Sequence, residues 1–308
     1  MKTMLERVII TGVTGFIGSA LAKRLLLHGT IVYGVGRNQD KLNELKTYGN
    51  FIPILADFKQ YGKLHELISD RGFDMFWHLA WEGTSTSVPT YNNNITQAQN
   101  IAIACAAAES AITLQCSKIG ISGSHYQQCV LNATFEEKSF NPGAYGIVKK
   151  CALELYRCIA FRNDLACANI IIPNAFGVGD KLSTAVVYFI KQMLENKPIN
   201  LITGIYPEDW IYIEDLVDGI IHSVKSSKKY QTFYVGHRSI TTFKEKLLTM
   251  KSLLFSKSEL LFGTYPELYS VDYNYFDLDA LNRDTGYVAG TDFAESIQKT
   301  AEWVKSLK

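Results

Sequence analysis

Tyr145-Gly146-Ile147-Val148-Lys149 puts a phenol and an amine four residues apart in a stretch that reads as a helix from Ala144 to Arg162, so the two side chains share one face about a turn apart. An ammonium near a phenol favours the phenolate and lowers a pKa that is about 10 in model peptides. Tyr145 then becomes a proton donor or acceptor near neutrality, the equipment for chemistry at a hydroxyl. Lys149 can also hold a ribose. Any amphipathic helix can contain such a pair. It gains meaning from a serine at the end of the preceding strand-like run and from a glycine loop near the start of the chain.

That loop, Thr11-Gly12-Val13-Thr14-Gly15-Phe16-Ile17-Gly18, follows an apolar run at Arg7 to Thr11 and opens a helical pattern from Gly18 to His28, closed by Gly29. Between a strand and a helix, Gly12 permits a tight turn, Gly15 admits backbone N–H groups to a pyrophosphate, and Gly18 lets the helix pack close on the sheet. The helix N-terminus adds unpaired donors and a positive dipole end. The expectation is a dinucleotide held by Gly12, Thr14, Gly15, Phe16, Ile17 and Gly18; the alternative is a glycine turn without a ligand. The second strand ends in Gly34-Val35-Gly36-Arg37, where an NAD site usually places an acid. Arg37 offers a guanidinium suited to a phosphate, so NADP(H) is favoured and NAD(H) stays possible, with Arg37 stacking on adenine in either case. Asp57 and Phe58, past the third strand, complete the expected adenine end, although Asp57 also suits a helix cap.

These residues need a scaffold, and the first half of the chain supplies one by alternating short apolar runs with helical patterns. Further strands are expected at Thr30 to Gly34, Phe51 to Ala56, Phe73 to Ala80, near Thr113 to Ser122, and around Ala168 to Pro173, with a long helix from about Tyr91 to Ser110. The fold class is α/β, a Rossmann-type doubly wound parallel sheet with a smaller C-terminal substrate-binding lobe. The division expected is 1–177 plus about 209–238 for the NADP-binding domain, and about 178–208 with 239–308 for the lobe. A strand at Gln231 to Gly236 and an amphipathic helix at Phe293 to Leu307 close the pattern.

Composition removes other classes. With 31 basic and 30 acidic residues the net charge is +1, which collects neither nucleic acid nor an anionic membrane. Cys105, Cys116, Cys129, Cys151, Cys158 and Cys167 lack the paired spacing of zinc or redox motifs, and no metal is expected. The apolar start at Met1 to Gly18 is broken by Gly12 and Gly15, so it does not read as a signal peptide, and a reducing cytoplasm is the expected compartment.

Taken in order, Thr11 to Gly18, His78-Leu79-Ala80-Trp81, Gly120 to Tyr126, Pro142 to Lys149 and Asp209-Trp210-Ile211-Tyr212-Ile213-Glu214-Asp215 resemble the extended short-chain dehydrogenase/reductases, often labelled NAD-dependent epimerase/dehydratase proteins, over nearly the whole chain. The resemblance implies a Ser-Tyr-Lys mechanism in which hydride passes between nicotinamide and a sugar carbon while Tyr145 exchanges the hydroxyl proton. It implies Ser124 as the serine, with Ser122 in reserve, and Asn94 as a helix asparagine supporting a water relay to Lys149. Leu79, Ala80, Trp81 and Pro173 are implied to line the cofactor cleft, His78 with them. Trp81, Ser122, Ser124, His125, Tyr126, Asn174, Phe176 and Tyr212 are the implied substrate contacts, beside a small polar loop at Glu82 to Val88.

One departure stands out. Many family members grip a nucleotide diphosphate with an arginine just before the Asp209 motif, where this chain has Pro207-Glu208; Lys181, Arg238 and Arg283 are the replacements considered. Dehydration needs an acid pair near the serine, yet Ser124 is followed by His125-Tyr126. With Arg37, that absence favours an NADPH-dependent reductase of a nucleotide-linked 4-keto-6-deoxysugar. The alternatives are a nucleotide-sugar 4-epimerase with bound NAD and a non-catalytic dinucleotide-binding subunit. A homodimer is implied through the helices near Asn94 to Ser110 and Ala144 to Arg162.

Overall fold

Runs such as Arg7–Thr11, apolar on both faces, are strands only when both faces are covered, and a parallel sheet between two helix layers provides that. The computed structural model describes residues 5–84, 89–130, 143–265 and 271–307, so Pro142 and positions 85–88 of the small polar loop lie outside the described residues, as do Met1–Met4 and the side chain of Cys129.

The chain runs β1 (Arg7–Thr11), α1 (Phe16–Leu27), β2 (Ile31–Gly36), α2 (Gln39–Leu45), β3 (Phe51–Leu55), α3 (Leu64–Leu67), β4 (Met75–His78), α4 (Asn94–Thr113), β5 (Lys118–Ser124), α5 (Gly143–Arg162) and β6 (Ala166–Ile172). It continues with β7 (Asn174–Phe176), α6 (Ala185–Leu194), β8 (Ile199–Leu201), β9 (Pro207–Glu208), β10 (Trp210–Tyr212), α7 (Ile213–Ser223) and β11 (Tyr230–Tyr234). Last come β12 (Thr241–Thr242), α8 (Phe243–Leu253), β13 (Leu260–Phe262), α9 (Ala280–Thr285) and α10 (Phe293–Ser306). Seven strands form one parallel sheet in the order β11-β6-β5-β4-β1-β2-β3, a Rossmann-type α/β fold. The order reverses between β1 and β4, so ligands belong at the carboxyl ends there.

One face of the sheet packs on α1, α7, α6, α8 and α10 through a core that includes Trp77, Leu21, Val187, Ile220 and Ile297. The other packs on α4 and α5 through Phe73, Phe76, Ala104, Ala108 and Tyr156. Burying side chains of this size contributes about 1.5–3 kcal/mol each. The first core passes without a break from β1 into α8 and α10, and β9, β12, β8 and β13 form two further two-stranded pairs. Among the described residues no helix is long and apolar enough to cross a membrane.

Most element boundaries shift by one to three residues from expectation, and two of the shifts bear on the site. Helix α4 runs to Thr113, and Gln115 takes a left-handed turn (φ 55°) with the Cys116 N–H donating to Ala111 O at 3.0 Å. Strand β5 therefore begins at Lys118 and ends on Ser124, which brings Ser124 to the carboxyl edge of the sheet.

Candidate active site

The glycine loop is built as its spacing requires. Gly12 has φ +74°, donates its N–H to Val35 O at 3.0 Å, and leaves so little room that a Cβ there would approach Ala80 N to 2.7 Å. A Cβ on Gly18 would stand 2.2 Å from Gly12 O, so the helix can pack on the turn only with hydrogen at that position. Gly15 caps α1 with no side-chain hydrogen bond, which leaves the first-turn N–H groups of Phe16, Ile17 and Gly18 without a side-chain partner. A cradle closed to any Cβ, topped by uncapped donors and a helix dipole, fits a pyrophosphate. Thr14 lies against Gly36, and Leu79 of the β4 end donates its N–H to Thr11 O at 3.2 Å, which brings Ala80 and Trp81 to the same edge.

Arg37 does not present a free guanidinium. Its carbon lies 4.3 Å over the Phe58 ring and its Nη2 donates to Glu82 Oε2 at 3.0 Å. The phosphate-gripping role expected of Arg37 is corrected accordingly, since a carboxylate from the end of β4 already holds it. Asp57 serves as a cap: its carboxylate accepts from the Lys59 N–H at 3.1 Å, and its own N–H donates to Gln60.

The three residues expected to do the chemistry converge. Ser124 closes β5 beside Tyr145 of α5, near enough for its side chain to lower the phenol's pKa against the rise that burial causes. Lys149, a turn further along, is buried, and its Nζ donates to Ser122 O at 2.8 Å and to Ser122 Oγ at 3.3 Å. Ser122 is thus a partner of Lys149. The ammonium lies 3.7 Å over the Trp81 ring and 5.8 Å from the centre of the Tyr145 ring. Burial draws the Lys149 pKa down to about 7. Burial also drives the Tyr145 phenol above its usual range, with Tyr91 adding to the rise and the Ser124 side chain opposing it. The expected lowering of Tyr145 by Lys149 is therefore not what this geometry delivers: Trp81 and Ser122 engage the ammonium, and desolvation dominates the phenol.

Several implied contacts lie elsewhere. Asn94 is exposed in the first turn of α4, whose cap is Asn93. The amides on the buried face of that helix are Gln97, which accepts from Trp81 Nε1 at 3.1 Å, and Asn100. His125 is buried with Nδ1 3.2 Å from the Tyr273 hydroxyl, and burial holds its pKa near 3, so it is a neutral core histidine rather than a substrate contact. His78 is similar, paired with Thr11 Oγ1 at 2.9 Å and brought to about 3 by burial, with Lys149 adding to the fall. Phe176 and Tyr212 are buried, edge to face 5.9 Å apart, at the base of a partly open pocket of about 160 Å³ that Lys246 and Phe293 also line. Core packing removes them from the cleft surface. Pro173 is buried at the junction of β6 and β7.

Tyr126 and Asn174 do remain half-buried beside Ser124. Tyr126 donates its N–H to Ser124 Oγ at 3.3 Å and its hydroxyl to Asn174 Oδ1 at 3.5 Å. Asn174 Nδ2 in turn donates to Glu208 Oε2 at 2.6 Å. None of the replacement cations takes the place of the missing arginine: Arg238 is ion-paired with Asp279 and Arg283 with Asp277, and Lys181 is exposed. The buried cation near Glu208 is Lys246 of α8, which donates to Ser239 O at 2.9 Å. Sequence reasoning missed Gln97, Asn100 and Lys246 as site neighbours, and named Glu82 only as the start of the polar loop and Glu208 only as standing where the family has an arginine; the two amides left a signal in their helical spacing with Ala104 and Ala107. Among the described residues no group of three or more His, Cys, Asp or Glu is placed to hold a metal ion.

Comparison with known proteins adds kinship. The profile of the NAD dependent epimerase/dehydratase family matches residues 8–236. A UDP-glucose 4-epimerase of Mycolicibacterium smegmatis is 24% identical over 97% of this chain and 99% of its own. A dTDP-4-dehydro-6-deoxyglucose reductase of Escherichia coli is 24% identical over 83% of this chain and 84% of its own. The solved UDP-glucuronic acid 4-epimerase of Bacillus cereus, in complex with UDP-glucuronic acid and NAD, superposes with a TM-score of 0.76 at 18% identity, covering 98% of this chain and all of that one (100%), a likeness of fold.

Proposed function

The chain belongs to the NAD dependent epimerase/dehydratase family, and from that premise we propose that it is a 4-epimerase of a nucleotide-linked sugar that works with bound NAD rather than the NADP(H) favoured from sequence. The observation that carries the reading is the convergence of Ser124 at the end of β5 with Tyr145 and, one helical turn on, Lys149 bonded to Ser122 of the same strand, a set of groups suited to moving a proton at a sugar hydroxyl. The full-length match to a UDP-glucose 4-epimerase turns that chemistry towards epimerisation.

The glycine loop, the α1 N-terminus, Leu79, Ala80, Trp81 and Pro173 hold the dinucleotide. Bound there, a nicotinamide would supply reversible hydride acceptance. Tyr145, ionised to the phenolate with the Lys149 ammonium as counter-charge before the sugar reacts, would take the proton of the C4 hydroxyl as a hydride leaves C4, and would give that proton back when the other face of the sugar is presented. Ser124 donates a hydrogen bond to the C4 oxygen, and Lys149 holds the nicotinamide ribose and supplies positive charge as Tyr145 loses its proton. Tyr126 and Asn174 meet the sugar, segments 178–208 and 239–308 wall the nucleotide, and two copies pair through α4 and α5.

A second reading, the 4-keto reductase, is favoured by the match to the Escherichia coli reductase. Incubation with UDP-glucose, UDP-glucuronate and related UDP-sugars separates the two. We expect C4 epimers to interconvert without net change in nicotinamide absorbance. Tyr145→Phe should lower turnover by at least about 10²-fold while the protein keeps its dinucleotide. Consumption of NADPH by a 4-keto sugar with no epimer formed would move the assignment to the reductase, and unchanged turnover in Tyr145→Phe would remove the mechanism.

A further inference from the structure

We propose that Glu82 is the residue that makes this site select NAD over NADP. The inference rests on the dinucleotide reading above and adds the determinant of its specificity. Strand β2 ends at Gly36 and Arg37 follows it, with no acid to read the adenosine ribose, and a free guanidinium there would favour a 2′-phosphate. Arg37 is held instead by the Glu82 carboxylate at 3.0 Å, with its flat side on the Phe58 ring.

Glu82 is not a loose surface acid. Its N–H donates to Asn100 Oδ1 at 2.9 Å, and its carbonyl accepts from Asn100 Nδ2 at 3.1 Å and from Gln97 Nε2 at 3.3 Å. Both amides are buried on α4, so the helix fixes where the carboxylate emerges. A carboxylate from the segment after β4 is thereby brought to the guanidinium of Arg37, the residue that follows β2. A ribose hydroxyl arriving there meets an acceptor. A 2′-phosphate meets a negative charge and a guanidinium whose own charge is already matched, and like charges at such range repel. Lys41, whose Nζ lies 3.5 Å from Thr14 O, keeps some positive charge near the loop, so the discrimination is graded.

The test uses the full chain as purified, equilibrated with equal concentrations of NAD and NADP, washed, denatured, and the released dinucleotides separated by chromatography. Wild-type protein should release NAD in excess. Glu82→Gln, which keeps the volume and removes the charge, should shift the NADP-to-NAD ratio upward by on the order of tenfold, and Glu82→Ala should move it the same way. Adding Arg37→Ala to Glu82→Gln should reduce the gain, because the freed guanidinium is one of its two sources and the lost carboxylate charge the other. A ratio unmoved in both Glu82 variants, with NAD still retained by the wild type, would overturn this proposal alone. Wild-type protein that releases neither dinucleotide would overturn the cofactor reading and this selection with it.

Discussion

Glu208 carries a carboxyl that burial lifts from its ordinary 4.5 to about 7, against the pull of hydrogen bonds from Asn174 and Trp210 and of the Lys246 ammonium. A group whose folded pKa lies above its unfolded value holds its proton more tightly in the folded chain. Its contribution to stability is therefore fully present below about pH 4.5 and lost as pH rises through about 7, where the folded protein must carry a desolvated charge. Glu208→Gln keeps an acceptor for Asn174 and removes that charge. Its melting temperature should exceed that of the wild type at pH 8 and converge with it at pH 4.5, by thermal unfolding at both values; an offset independent of pH would show that the carboxyl is not titrating there. The residue scale is also where sequence reading was weakest. Arg37 suggested NADP because its partner, Glu82, lies 45 positions away, a pairing no local spacing announces. Tyr145, Lys149 and Ser124 were legible because a helical turn and a strand end fix their neighbourhood, whereas the Trp81 ring beneath the Lys149 ammonium depends on how β4 meets α5.

At the scale of elements, the turn between β1 and α1 depends on a contact no side chain survives. Gly18→Ala would push a methyl to 2.2 Å from Gly12 O, backbone that has nowhere to move without opening the turn. We expect a loss of roughly 1–3 kcal/mol in denaturant unfolding, together with loss of the retained dinucleotide. Gly29→Ala is the control: nothing lies within 4 Å of its added Cβ, so only the left-handed backbone (φ +86°) is strained, at about 1–2 kcal/mol, and the dinucleotide should be kept. Strands β1 to β4 were legible as apolar runs between turn residues, since burial on both faces leaves little choice of pattern. Strand β5 was placed early because the left-handed Gln115 and the Cys116 N–H bond extend the end of α4 through residues that look strand-like. On α4 itself, the family motif pointed to Asn94. The buried face follows the helical repeat through Gln97, Asn100, Ala104, Ala107 and Ala111, and Asn94 sits in the first turn where nothing covers it.

At the scale of the molecule, α5 has two unlike faces. One carries Tyr145, Lys149, Ala152, Tyr156 and Ala160 into the protein, and the other exposes Ile147 (48%), Leu155 (39%) and Phe161 (69%) together with Cys151 and Cys158. These outward residues recur at helical spacing and form one stripe, and Ile95 adds to the exposed apolar surface from α4, which packs alongside. We propose that a second copy, related by a two-fold axis, would present the same stripe, so that each patch would find its own complement in a bundle of four helices. Leu155→Arg would force two cations towards each other across that axis. We expect the wild type to sediment as a dimer and Leu155→Arg as a monomer, with a melting temperature that no longer rises with protein concentration. Because Tyr145 and Lys149 ride on the same helix, the monomer should also turn over more slowly at unchanged dinucleotide retention. A wild type that sediments as a monomer at micromolar concentration would refute the pairing.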